Sequence, residues 1–198
     1  MTAGRASLVV LIDCYLRGLL DPTVSLLEVH KLMYFMQEAG EPLKPQYVQG
    51  PYGPYAENLH HVLKVIEGHL IAGYADGGDA PDKQLELVPG AVPDANAFLA
   101  SNQTALNRFE RVGNLVEGFE TPFGLELLST VHWVVNQTHA QNLGEVICKT
   151  YAWSDRKKRF TDNQIELALD VLAAKKWIPA SFRSESSTRR FRFAEQTA

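Results

Sequence analysis

Apolar side chains recur along most of this chain at the three- and four-residue spacing of helices. Residues 8–19 are apolar-rich and end at Asp21-Pro22, which predicts a helix with a sharp stop. Ser25-Leu-Leu-Glu28 has the form of a capping box, in which the Ser and Glu side chains satisfy each other's backbone donors. Val29, Leu32, Met33, Met36 and Ala39 follow at helical spacing up to Gly40, and this stripe reads as core packing. Residues 43–50 predict a short edge strand, since Pro45 lacks a ladder donor. Pro51-Tyr52-Gly53-Pro54 predicts a turn, with Pro54 as the first residue of a helix that buries Leu59, Val62, Leu63, Ile66 and Leu70.

Further along, residues 73–82 form a Gly/Asp loop and residues 84–88 alternate like a strand. One long helix is expected over 94–117, with Leu106, Phe109, Val112 and Val116 inward. Thr121-Pro122 opens another, carrying Leu125, Leu128 and Val131, and a shorter helix follows near 143–150. Thr161-Asp-Asn-Gln164 is a second capping box, starting a helix through Ile165, Leu169 and Leu172 to about Trp177. Residues 181–193 suggest a hairpin with a Ser-rich turn. Helix, helix, helix, hairpin is the order of a winged-helix module, and the first half is a looser version of it. The expected fold is therefore predominantly α with small β hairpins (α+β). Two winged-helix-like lobes, residues 1–118 and 119–198, would form one compact unit.

Composition changes little in this picture; charge changes more. The 198 residues are 45% hydrophobic and 21% charged, an ordinary globular balance that excludes wholesale disorder. The net charge of −4 conceals an asymmetry. Residues 1–150 hold nine Lys/Arg and seventeen Asp/Glu, for −8, whereas residues 151–198 hold ten and six, for +4. An acidic body suits a basic partner better than DNA, because phosphate contacts dominate nucleic-acid affinity. Cys14 and Cys148 lie in apolar runs and read as small hydrophobes. With no signal pattern and no apolar run long enough to span a bilayer, a cytoplasmic setting is expected.

Candidate chemistry is sparse. The chain has no GxSxG, HExxH, Walker or GxGxxG motif, and its two Cys show no zinc-ligand spacing. The Gly73-Tyr-Ala-Asp-Gly-Gly-Asp79 loop lacks the alternating oxygen ligands and closing Glu of a calcium loop. His60, His61, His69, His132 and His139 lack partners at ligand spacing, so neither a metal nor a cofactor is expected. Arg156, Lys157, Lys158 and Arg159, with Arg189, Arg190 and Arg192 in the expected wing, are candidate nucleic-acid contacts. Gly50-Pro-Tyr-Gly-Pro-Tyr-Ala-Glu57 is a rigid turn that offers Tyr52, Tyr55 and Glu57 to a partner.

Four blocks carry a family resemblance: Val29-His-Lys-Leu-Met-Tyr-Phe-Met-Gln-Glu-Ala-Gly-Glu-Pro-Leu43, Gly50-Pro-Tyr-Gly-Pro-Tyr-Ala-Glu-Asn-Leu59, Ile66-Glu-Gly-His-Leu-Ile-Ala-Gly-Tyr-Ala-Asp-Gly-Gly-Asp79 and Val116-Glu-Gly-Phe-Glu-Thr-Pro-Phe-Gly-Leu-Glu126. Over most of residues 8–178 the chain resembles the C-terminal, toxin-binding domain of the antitoxin DarG of the DarT–DarG toxin–antitoxin system. More weakly, Lys31-Leu-Met-Tyr34 and Tyr52-Gly-Pro54 are similar to Panacea-type antitoxin domains. The resemblance implies a non-enzymatic domain that neutralises DarT, an ADP-ribosyltransferase acting on single-stranded DNA, by direct binding. A full-length relative would carry DNA ADP-ribosyl glycohydrolase activity in a separate N-terminal macrodomain, whose pattern this chain lacks.

Joined to the charge asymmetry, the resemblance suggests DNA mimicry, with carboxylates occupying the toxin's DNA groove. Glu57, Asp76, Asp79, Asp82, Glu117 and Glu120 are the candidate carboxylates, and Tyr52 and Tyr55 would stand in for stacked bases. The expected partner is a DarT-like toxin, with no membrane involved. The alternative reading is a winged-helix autoregulator that binds operator DNA through the basic tail.

Overall fold

The structure, a computed structural model, describes residues 1–19, 22–75 and 78–182. It divides into two compact units, Met1–Glu126 and Leu127–Ala198.

The first unit opens with α1, Ala3–Leu19. The short strand β1, Val24–Ser25, runs into α2, Leu26–Glu38. Both halves of the capping box are formed: Ser25 Oγ accepts from the Glu28 amide, and the Ser25 amide donates to Glu28 Oε2 at 2.7 Å. Glu28 is buried and also receives the hydroxyls of Ser25 and Tyr15, so the cap ties α1 to α2. The strands β2, Val48–Gly50, and β3, Gly53–Tyr55, form an antiparallel hairpin closed by Pro51-Tyr52. After α3, Leu59–Ile66, come β4, Ile71–Ala72, and β5, Gln84–Leu87. β5 lies between β1 and β4, antiparallel to both.

The unit continues with α4, Ala91–Leu99, and α5, Gln103–Val116. Ala6 and Val9 of α1 meet Ala91, Ala95 and Leu99 of α4 and Ala105 of α5 in one buried cluster. The small alanines let these helices approach closely, and Val10, Leu106 and Phe109 extend the apolar contact.

Helix α6, Pro122–Thr138, begins in the first unit and ends in the second. The second unit adds α7, Leu143–Trp153, a 3-10 turn at Asp155–Arg159, α8, Asp162–Ala174, and a second 3-10 turn at Ala180–Phe182. Its buried residues include Val131, Val134, Val146, Phe160, Ile165, Leu169 and Leu172. The Thr161 capping box is formed as the sequence predicts.

The architecture is mostly helical, which corrects the expectation of an α+β pair of winged-helix lobes. Strands reach only two to four residues, and those of the first unit are interleaved with helices instead of following a three-helix core. Among the described residues of the second unit there is no strand. The hairpin expected at 181–193, which would be the wing, falls from residue 183 onward outside the described residues.

Two boundaries also differ. Pro54 belongs to β3 and faces Gln49, so α3 starts only at Leu59. The helix expected over 94–117 is two helices, because Asn102 leaves helical geometry (φ −123°, ψ 75°) and caps α5 through Ala105 N. Cys14 and Cys148 are both exposed free thiols, contrary to their expected burial. No helix among the described residues is long and apolar enough to cross a membrane.

The two capping boxes differ in burial, which sets a stability test. Ser25→Ala removes a cap and also a donor to a buried carboxylate, so it should cost about 1–2 kcal/mol. Thr161→Ala removes only an exposed cap, at roughly 1 kcal/mol or less. Urea unfolding compares the two variants, and equal losses would contradict the coupling between α1 and α2 through Glu28.

Candidate functional site

The start of α2 and the β2–β3 hairpin enclose a cavity of about 220 Å³. Leu26, Leu27, Pro51 and Pro81 make its walls apolar, His30, Tyr52 and Tyr55 supply rings, and Lys31 and Asp79 supply charge. Lys31 is 2% exposed, and its ammonium donates to the Pro54 carbonyl at 2.7 Å. That bond fixes the hairpin against α2. Gly50 then allows Tyr55 its place, since a Cβ at residue 50 would lie 2.7 Å from the Tyr55 Cβ. Tyr55 stacks on His30 with ring centroids 4.8 Å apart and planes 19° from parallel.

His30 is 5% exposed, and its Nδ1 is buried without a hydrogen-bond partner. Burial, reinforced by the neighbouring Lys31 charge, lowers its pKa to about 3, so the imidazole is neutral at physiological pH. Asp79 stands at the exposed side of the cavity and accepts from the Tyr74 hydroxyl at 3.1 Å and the Tyr55 hydroxyl at 3.4 Å. Burial and the Asp79 carboxylate together raise both phenols above their ordinary range. The arrangement joins two protonated phenols, a carboxylate and a neutral imidazole in an apolar cleft. Such a cleft binds flat rings by stacking and reads their edges with a few polar atoms.

A larger cavity of about 660 Å³ lies between the start of α1 and segment 41–45. Its buried carboxylate, Glu41, is held by Arg108 at 2.9 Å. The smaller cavity, with its unpartnered ring nitrogen, is the better candidate.

Of the residues singled out in the sequence, the structure gathers Tyr52, Tyr55 and Asp79 at one site. Glu57, Asp82 and Glu117 are exposed elsewhere in the first unit, and Glu120 accepts from the Gly118 amide at 2.7 Å. Asp76 lies outside the described residues, as do Arg189, Arg190 and Arg192. In the basic run, Arg156 is exposed, Lys158 pairs with Asp155 at 2.6 Å, and Arg159 lies over the Phe160 ring. Lys157 is fully buried, with its ammonium 3.0 Å from Thr130 Oγ1 and close to the Trp153 and Phe160 rings, so it offers no charge to a phosphate.

Sequence reasoning missed His30 and Lys31. The signal was a polar pair inside an apolar helix, next to the stripe that was read as core. Among the described residues, no group of three metal-ligating side chains is placed to hold an ion.

No protein-family model matches the chain. It is similar to a DNA ADP-ribosyl glycohydrolase of Thermus aquaticus, 41% identical over 172 residues, covering 87% of this chain and 47% of that protein. Proteins of the same name from Mycobacterium bovis and Mycobacterium tuberculosis are each 33% identical over 183 residues, covering 86% of this chain and 52% of theirs. The chain thus spans about half the length of the curated relatives it matches.

These relatives are bacterial, and their name concerns DNA ADP-ribosylation. They are named for a hydrolase and not for a toxin-binding domain, and they align with most of this chain. That finding overturns the assignment to the DarG toxin-binding domain, the non-enzymatic antitoxin function with its DNA mimicry, and the regulator alternative.

The buried imidazole makes stability depend on pH. Its folded pKa lies below the unfolded value of 6.5, so the unfolded chain binds the proton first as pH falls. Stability from this group is complete above pH 6.5 and should decline by about 1.4 kcal/mol per pH unit on moving toward pH 3. Urea unfolding between pH 6.5 and 5 should show that slope in the native chain. His30→Phe should lose it; an unchanged slope would contradict the burial of a neutral His30.

Proposed function

We propose that the chain acts in the removal of ADP-ribose from DNA, as the stretch of a DNA ADP-ribosyl glycohydrolase that seats the modified nucleotide. The observation that supports this reading is identity of 41% with a relative of that name over 87% of the chain. The cavity between α2 and the hairpin is the site we assign to it. Its apolar walls and rings suit a nucleotide ring, and Asp79 supplies a carboxylate at its exposed side.

The chemistry of glycoside cleavage passes through a cation-like sugar, which a nearby carboxylate stabilises, and glycosidases commonly pair two such groups. Among the described residues, this cavity is lined by one, Asp79. The described lining thus supplies a ring-binding surface with one carboxylate beside it. The acidic balance of residues 1–150 points the same way, because it disfavours gripping a strand by its phosphates and leaves affinity to the ring pocket. We place this activity in the cytoplasm, where two exposed free thiols are compatible with a reducing medium.

A single-stranded oligonucleotide carrying ADP-ribose, compared with the same strand unmodified, tests the proposal. The chain should bind the modified strand at least about tenfold more tightly, a difference of about 1.4 kcal/mol. Release of free ADP-ribose, followed in the same mixtures, tells whether cleavage also resides in this chain. Equal binding of the two strands would contradict the reading.

A further inference from the structure

We infer that the cavity between α2 and the β2–β3 hairpin is a nucleobase site for an amino-substituted ring, adenine or cytosine, with His30 Nδ1 as the buried group that reads the ring edge. The choice of a nucleobase among flat ligands rests on the function proposed above. The site itself rests on geometry.

Three observations carry it. First, His30 lines the cavity at 5% exposure, and its Nδ1 is buried with no hydrogen-bond partner. Buried polar atoms are almost always satisfied, and a ligand that supplies the missing bond accounts for the exception. Second, the cavity holds about 220 Å³, below the ~300–1,000 Å³ of sites for drug-sized ligands, so one ring fits where a whole dinucleotide does not. Third, the walls are sorted by chemistry. Tyr52 and the His30–Tyr55 stack give aromatic surface, and Asp79 gives an acceptor at the mouth.

An ionised carboxylate has about four lone-pair directions. Asp79 Oδ1 and Oδ2 each take one phenol, from Tyr74 and Tyr55. Capacity remains for an exocyclic amino group, which donates where a carbonyl substituent would repel. Lys31, a cation lining the cavity, is only 2% exposed and its ammonium is held on the Pro54 carbonyl. The site is thus built for the base and not for its phosphates, and adenosine should bind as well as its monophosphate.

Such a base has two sources, the adenine of the ADP-ribosyl group and a base of the DNA strand. Calorimetric titration of the full chain with adenosine, cytidine and thymidine, and then with ADP-ribose and unmodified oligodeoxyadenylate, separates them. Adenosine and cytidine should bind, and thymidine should bind more weakly. His30→Phe, which keeps a ring and removes the nitrogen, should weaken adenosine binding about tenfold. Tyr52→Ala, at a half-buried wall position, should weaken it by a similar factor with the fold intact by circular dichroism.

Tighter binding of ADP-ribose than of oligodeoxyadenylate identifies the ADP-ribosyl adenine as the source, and the reverse identifies a strand base; both support the site. No binding of adenosine, or undiminished affinity in His30→Phe, overturns it. Adenosine binding without any preference for the ADP-ribosylated strand would sustain the site and remove the functional reading. The preference surviving in His30→Phe would do the opposite.

Discussion

The Lys31 ammonium on the Pro54 carbonyl is the contact on which the candidate site depends. A charge so deeply buried needs a strong partner, and a carbonyl held in a hairpin is a fixed one. Through this bond α2 and the β2–β3 hairpin become one frame. Tyr55 is thereby set on His30, and the Pro51-Tyr52 turn is held over the start of the helix. At the same helix start, the capping box uses Glu28 to join Ser25 and the Tyr15 hydroxyl of α1. The cavity wall is therefore braced from both sides, by Lys31 bonded to the hairpin and by Glu28 bonded to Tyr15 of α1.

Electrostatics inside this frame run opposite to those outside it. The surface of the first unit is acidic, whereas the cavity keeps its imidazole neutral by burial and its phenols protonated beside Asp79. Neutral rings with one acceptor at the mouth favour an uncharged, donor-bearing ligand over an anion. This is a physical reason to look for recognition of a base and not of a backbone, and it makes the acidic surface compatible with a nucleotide ligand.

Much of the helical skeleton was legible because caps and periodicity are local. Ser25 and Thr161 mark their helices correctly, and the Thr121-Pro122 start stands as written in the sequence. What failed depended on contacts distant in sequence. Pro54 reads as a helix start by its own preferences, and only its pairing with Gln49 and its bond to Lys31 make it a strand residue. Asn102 breaks the helix expected over 94–117 by capping the next one, a choice that periodicity alone does not reveal. At the site, Tyr52, Tyr55 and Asp79 could be picked out as unusual, but Glu57, Asp82, Glu117 and Glu120, grouped with them, do not line the cavity. His30 was invisible for the opposite reason. A polar residue within an apolar stripe looks like ordinary core until the structure shows it lining a cavity, with a buried ring nitrogen that has no partner.

The central claim is that this cavity holds a nucleobase against His30 and Tyr55. Nuclear magnetic resonance of the full chain titrated with ADP-ribose tests it most directly, by following the ring protons of those two residues and their proximity to the ligand. The account predicts saturable shifts at His30 and Tyr55, with cross-relaxation to the adenine protons. Binding that leaves both rings unperturbed, or no binding at all, would contradict it.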